Sequence, residues 1–294
     1  MPTPDFRDRA LTAILNNGMR TIPWTKVITN TLAGSVSCLF QSAGMPEAGT
    51  YPGNALEANM IVPGMVSNIL GGASRIVPPL YRNHLIQAEA LNAINNFDGV
   101  LFLADLLCTY RGLPANTGAL QDLSTVGSAA GRSVLPRYSD GRGVRIFADV
   151  TTAFGATPVS LQISYTNELG VSGRVSTSTT VASVPVGRSA CVNPRDAFSL
   201  PLQSGDNGVR SLQAAQLSGT TGAAGVYTLF LYRPLMSFYI FPNFNNHGGF
   251  YFNGETQPPE ILSGCNLILF WLPKWTNNSS IYGHVKTLKV NKGR

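Results

Sequence analysis

The chain is short of charge. Asp, Glu, Lys and Arg make up 12% of its 294 residues, about half the ~25% of an ordinary soluble domain. Its wet surface must therefore be built from Ser, Thr, Asn, Gln and Gly. Two readings follow: the polar faces of a β-rich protein, or a subunit that hides surface against neighbours, where charged side chains are depleted. Histidine is scarcer still, and His84, His247 and His284 stand far apart in no metal-ligand spacing. The four cysteines, Cys38, Cys108, Cys191 and Cys265, form no CxxC pair. Cys38, Cys108 and Cys265 lie in apolar runs and read as buried free thiols in a reducing compartment. No apolar run approaches the ~18 residues of a membrane-spanning helix. The longest, 100–107 and 267–272, are strand-sized, and the first contains Asp105. Met1-Pro2-Thr3-Pro4-Asp5 has neither the basic start nor the apolar core of a secretory signal. The expectation is a soluble protein made in the cytoplasm. HExxH, GxSxG, a Walker loop and a GxGxxG after a strand are all missing. No catalytic, cofactor-binding or metal-binding residue is assigned, and the chain is not expected to be an enzyme.

The charge that is present leans basic, with 21 Lys and Arg against 15 Asp and Glu for a net +6. The one cluster is His284, Lys286, Lys289, Lys292 and Arg294, which reads as a solvated tail. Contact with nucleic acid or an acidic partner is the alternative. No basic helix or aromatic-interleaved basic run points to specific nucleic-acid recognition.

The strongest pattern is at 159–166. Val159, Leu161, Ile163 and Tyr165 alternate with Ser160, Gln162, Ser164 and Thr166, the period of two that defines a strand with one buried and one wet face. From Val144 onward the chain reads as almost all β. Strands are predicted at 144–151, 158–166, 172–184, 197–203, 209–217, 225–233, 235–241 and 265–272. Pro234 is expected to divide the sixth from the seventh. Ser204-Gly205-Asp206-Asn207-Gly208 is a tight turn. Asp98-Gly99, set between apolar runs at 84–94 and 100–110, predicts a β-hairpin, although Leu85, Ala88 and Leu91 also fit a helical stripe. Near the start, Asp5 with Phe6, Leu11, Ile14 and Leu15 predicts a helix over 5–20. Trp24 to Gln41 reads as one or two strands, and 42–80 and 111–143 as long irregular loops. The fold class expected is all-β, a β-sandwich or jelly-roll-like domain with a short N-terminal helix and long loops. Residues 1–80 would be helix and extended arm, and 81–294 the sandwich, or the two would form one continuous domain.

Some single residues carry rival readings. Asp105 in an apolar run is costly to bury unpaired. It is either an acid with a shifted pKa or, the structural reading, a residue facing out at a strand edge or paired with an arginine such as Arg111 or Arg82. Asp149 reads the same way. His247 lies in a turn composition. Aromatics crowd residues 227–275, from Tyr227 to Trp275. Core packing accounts for most, with a subunit interface or a glycan-stacking platform as the other readings.

Three segments, taken in order, resemble a group of tailed-bacteriophage virion proteins. They are Leu101-Phe102-Leu103-Ala104-Asp105-Leu106-Leu107, then Ile163-Ser164-Tyr165-Thr166-Asn167 with Gly170, Gly173 and Arg174, then Pro201 through Leu212. The resemblance covers about 80–235. It implies a β-rich, non-catalytic subunit of the phage head, a decoration, cement or minor head protein assembled in the host cytoplasm. Its partners would be the major capsid protein and copies of itself, a homotrimer among the forms, with residues 42–80 bridging neighbouring subunits. In the group's pattern a basic residue follows the acid of the first segment. Here Leu106 follows Asp105, so an ion pair made by that basic residue is absent or replaced. A tail or fibre module binding host glycan, and a major or minor capsid protein, are the alternatives.

Overall fold

The computed structural model describes residues 19–28, 35–39, 42–45, 58–60, 81–92, 98–124, 135–190, 199–222, 224–241, 247–251, 258–262, 265–274 and 279–291. Among these there is no helix, and seventeen strands form three sheets. In chain order the strands are β1 (Met19–Ile28), β2 (Ser37–Cys38), β3 (Gly44–Met45), β4 (Ala58–Met60), β5 (Tyr81–Asn92) and β6 (Gly99–Pro114). Next come β7 (Gln121–Asp122), β8 (Arg145–Thr152), β9 (Val159–Asn167), β10 (Arg174–Val175), β11 (Thr179–Val181) and β12 (Val209–Leu217). The last are β13 (Val226–Ile240), β14 (His247–Tyr251), β15 (Glu260–Ile261), β16 (Leu267–Pro273) and β17 (Ser279–Asn291).

The central sheet runs β2-β16-β6-β13-β8, with β4 also on β6. Its spine is β6, of 16 residues, and β13, of 15, each ~50 Å long at ~3.3 Å per residue. That length lets one sheet serve two cores. At one end Cys108, Tyr110 and Leu113 of β6, Tyr227, Leu229 and Leu231 of β13, and Ile146, Ala148 and Val150 of β8 are buried. They meet Val159, Leu161, Ile163 and Tyr165 of β9 and Leu212, Ala215 and Leu217 of β12, in a sheet ordered β10-β9-β12-β7 with β11 on β9. At the other end Leu101, Leu103, Phe238, Ile240, Leu269 and Trp271 meet Ile22, Trp24, Leu85, Ala90, Ile281 and Val285. Those belong to the third sheet, β14-β5-β17-β1-β3, with β15 on β5. Bulges in the β6–β13 pairing near Leu107 and Leu235 keep both cores on one face of the central sheet, since a bulge resets the alternation. The opposite face carries an aromatic cluster, Phe147, Phe230, Tyr232 and Phe270, under Val36 and Cys38.

The alternation at 159–166 is observed as β9, whose burial alternates along its length. The predicted 144–151, 209–217 and 265–272 match β8, β12 and β16 to within two residues at each end. Several other expectations are corrected. Asp98-Gly99 does not close a hairpin: β5 is bonded to β14, β15 and β17, and β6 to β4, β13 and β16. The corner instead carries the chain from one sheet to the next. Glycine is required there because a Cβ on Gly99 would stand 2.3 Å from the Leu272 carbonyl oxygen of β16. Pro234 does not end a strand. It pairs with Ala104, and the ladder slips just beyond it, which is how a proline is accommodated inside a sheet. The predicted 172–184 is two short strands, parted where the Ser176 hydroxyl takes the Ile163 amide at 2.9 Å in place of a ladder bond. Residues 199–203 are not a strand; Leu200 is fully buried and its amide bonds Ile146. The basic C-terminal cluster is not a solvated tail as far as Asn291, since β17 lies between β5 and β1 and pairs with both. Met19 and Arg20 begin β1 rather than ending a helix; the rest of the expected helix, most of 42–80, Lys292 and Arg294 lie outside the described residues.

Candidate functional site

The second and third resemblance segments meet at one carboxylate. β9 delivers Tyr165 and Asn167, β10 delivers Arg174, and the 204–208 turn delivers Asp206. The Tyr165 hydroxyl donates to Asp206 Oδ2 at 2.6 Å and Asn167 Nδ2 to Oδ1 at 2.8 Å. Arg174 closes the group with Nε to Oδ2 at 2.9 Å and Nη2 to Oδ1 at 3.0 Å. This side-on fork is the strong geometry for an arginine–carboxylate pair. Tyr165 oxygen also accepts the Gln203 amide at 2.8 Å, so the phenol ties turn to strand from both sides. Burial and the bond to Asp206 push the Tyr165 phenol far above its ordinary value, which keeps it a donor.

The same residues fix the hairpin that leaves β9. Asn167 Oδ1 accepts the amides of Leu169 at 3.1 Å and Val171 at 2.9 Å. Gly170 between them has φ +84, a left-handed turn that glycine enters without strain. Glu168 Oε1 accepts the Asn207 amide at 3.0 Å, and its carbonyl takes Arg210 Nε at 3.0 Å and Nη2 at 2.6 Å. The tip held by these bonds exposes Leu169 by 73% and Val171 by 50%.

Burial alone would raise the Asp206 carboxyl, but the bonds from Arg174, Tyr165 and Asn167 outweigh it and hold the group below its ordinary value. A depressed folded pKa stabilises above the unfolded value, about 3.9 for Asp, and that stabilisation is lost as pH falls through the folded value. The melting-temperature gap between wild type and Asp206→Asn is therefore expected to hold steady from pH 7 to 5 and to shrink below about pH 4. A gap that stays constant down to pH 3 would refute this.

The acid of the first segment lies at the seam between the two cores. Asp105 is fully buried on β6, opposite Arg233 of β13. It neither faces out nor lies at an edge; it pairs with an arginine, as the second reading expected, but that arginine is Arg137. Arg137, from the loop before β8, gives Nε to Oδ2 at 2.7 Å and Nη2 to Oδ1 at 2.8 Å. Arg137 also gives Nη2 to the Leu106 carbonyl at 2.9 Å, and Asn266 its amide to Asp105 Oδ1 at 3.0 Å. The ion pair that Leu106 cannot make is thus replaced from about thirty residues downstream. Burial raises the Asp105 carboxyl, with the Arg137 bonds and charge and the Asn266 amide opposing. Burial, then the Asp105 charge, pushes the neighbouring Cys265 thiol well up.

One polar seam joins these groups. Tyr138, next to Arg137, has φ +53 and lies under the Arg233 guanidinium, 5.4 Å from its ring centre. Arg233 donates to the Arg142 carbonyl. Arg142 bridges Gly208, and Arg145 donates to the Asn207 carbonyl at 2.9 Å. Towards the β9–β10 tip Arg142, Arg145, Arg174, Arg210 and Arg233 stand with Asp140, Glu168 and Asp206, leaving this end of the β9 sheet positive by two, while Asp105 and Arg137 cancel at the seam.

Asp149 is fully buried beside the Arg188–Ser189 segment rather than facing out. His84 is buried with Nδ1 3.1 Å from the Pro258 carbonyl oxygen, and His284 stands 3.6 Å from Glu89. His247 lies in β14 rather than a turn. Among the described residues no group of three His, Cys, Asp or Glu could hold a metal. Cys38, Cys108 and Cys265 are buried free thiols; Cys191 lies outside the described residues. Of the aromatics of 227–275, Tyr227, Phe230, Tyr232, Phe238, Phe270 and Trp271 are interior, as core packing requires, while Phe241 is 48% exposed beside Tyr239. Tyr239 and Lys274 both bind Asp98, the lysine at 3.1 Å. Sequence reasoning missed Arg137, which stands in a loop with no pattern around it. It read Asp206 only as a turn residue.

No protein-family model matches the chain, and no curated protein matches it in sequence. Among solved structures it overlaps that of infectious bursal disease virus Gx strain at 9% identity and TM-score 0.21, over 94% of this chain and 80% of that one. The Gt strain structure overlaps at 9% identity and TM-score 0.18, over 93% and 81%. The crystal structure of the VP2 subviral particle of the same virus overlaps at 10% identity and TM-score 0.19, over 99% and 88%. At these TM-scores the overlaps do not establish a shared fold.

Proposed function

We propose that this chain is a non-catalytic structural subunit of a virion, a decoration or cement protein that binds the lattice of a phage head in many copies. The observation that carries the reading is how the carboxylates of the first and third resemblance segments are used. Asp105 and Asp206 are each gripped by an arginine fork and by further donors. Their bonding capacity goes into fixing the seam between two cores and the β9–β10 hairpin of an all-β body, which is what a building block needs. Low charge fits a surface that meets neighbours. Each contact can be weak, because many contacts on one lattice multiply.

Purified tail-less heads are expected to contain the protein, detected by mass spectrometry and by co-sedimentation, in a fixed ratio to the coat protein. Its absence from heads would reject the reading. A ratio equal to the full hexamer and pentamer count would make it the coat protein itself.

A further inference from the structure

The exposed apolar tip and its arginine-rich surround are one surface. Leu169 and Val171 are the outermost apolar residues of the β9–β10 hairpin, and they stand on a base that is bonded throughout. Asn167 fixes both amides, Arg210 fixes the Glu168 carbonyl between them and β12, and Asp206 fixes Asn167. An exposed leucine on a loose loop needs no explanation, since single exposed apolar residues are common. Here the loop is held in one conformation by side chains from two other segments, so the apolar pair is presented with little ordering left to lose on contact. Around it Arg142 is exposed, Arg174 keeps a quarter of its side chain in water, and Arg210 is half-buried. Arg210 gives its donors to main-chain carbonyls, those of Asp140 and Glu168, so those bonds leave its positive charge uncancelled.

We propose that this end of the sandwich is a docking peg for a protein partner whose surface is acidic around a small apolar pocket. Charge complementarity and size single out that partner. The end is positive by two, and the exposed acid on it is Asp140. Elsewhere among the described residues Asp98, Asp105 and Asp149 are buried, Glu89 and Glu260 half-buried, and Asp122 exposed, so the described surface of a second copy offers the peg little to pair with. Two side chains bury on the order of 200 Å², far below the ~1,200–2,000 Å² of a stand-alone interface. The peg therefore works as one of many repeated contacts. The inference rests on the virion reading and names which surface of the chain meets the lattice.

The test uses the full chain and purified heads depleted of it, with binding read by co-sedimentation over a salt series. Wild type is expected to bind, and to bind less as salt rises, because charged contacts are screened. Leu169→Ser with Val171→Ser, and separately Arg142→Glu, are expected to bind about tenfold or more weakly, as loss of an interface anchor does. Leu120→Ser, 63% exposed near the opposite end of β12, is expected to bind like wild type. All variants should melt like wild type. If the serine pair does not, Arg142→Glu alone decides. Wild type that fails to bind heads rejects the virion reading. Wild-type binding matched by both peg variants leaves that reading standing and overturns the peg. Binding that nuclease treatment of the heads abolishes also overturns it, since the partner would then be nucleic acid.

Discussion

Asp105→Ala is expected to lower the unfolding free energy by about 3–5 kcal/mol, because it strands a buried arginine. Arg137 keeps only 6% of its side chain in water and Asp105 none. With the carboxylate gone, the guanidinium loses both fork bonds while its Leu106 contact remains, and the Asn266 amide loses its acceptor. The ion pair itself need not be worth that much, since the desolvation of two charges offsets most of their attraction. Asp105→Leu combined with Arg137→Met should therefore recover most of the loss, to within about 1 kcal/mol of wild type. Urea unfolding of the three proteins measures this. A double variant as unstable as the single one would mean that the pair, rather than the stranded charge, carries the stability. The pH dependence has a definite sign. Burial raises the Asp105 carboxyl in the folded state, so its ionisation disfavours folding as pH rises through the interval between the unfolded and folded values. Asp206 acts in the opposite sense.

Phe230→Ala is expected to cost about 3–5 kcal/mol, the range for emptying an aromatic site in a packed core. Phe230 is fully buried on β13, between β6 and β8. Its ring stacks on Phe147 with centroids 4.9 Å apart and on Phe270 at 5.9 Å, and meets Tyr232 edge-on at 6.2 Å. Such pairs add about 0.5–1.5 kcal/mol beyond area alone. The cavity would open on the face of the central sheet opposite the two main cores, against strands that cannot slide without breaking their ladders. Phe230→Leu keeps most of the volume but not the ring, and should cost less than half as much as alanine. Equal losses for leucine and alanine would remove the aromatic geometry from the account.

What the sequence made legible is what depends on neighbours along the chain. β9 and β12 show because each has one face in a core and one in water. The turn at 204–208 shows in its own glycines. The partner of Asp105 does not, because nothing near Arg137 in the chain differs from an ordinary polar loop, and the pair forms only when that loop meets the seam. Asp98-Gly99 misled for a related reason. Glycine there answers to the carbonyl of Leu272 across the sheet, and a local turn signal cannot be told from a distant close approach. Pro234 signalled a break, but a bulge one residue on absorbed it. Tyr165, Asn167, Arg174 and Asp206 were present in the resemblance segments, but their convergence was not visible until the strands were placed.

The pairing of Met19 with Leu288 and of Ile28 with Ser279 has a consequence for how the molecule is made. β17 lies between β1 and β5, so the third sheet has no middle until the ribosome has delivered residues near 290. β1 must wait, unpaired along that edge, until β17 has been made. Contacts this far apart in sequence fold slowly, because loop closure must come before they stabilise anything. The sheet of β9 and β12, whose partners are about forty to sixty residues apart, can close much earlier. The sheet that carries the peg can thus be finished first, and the third sheet is sealed only once β17 has been made.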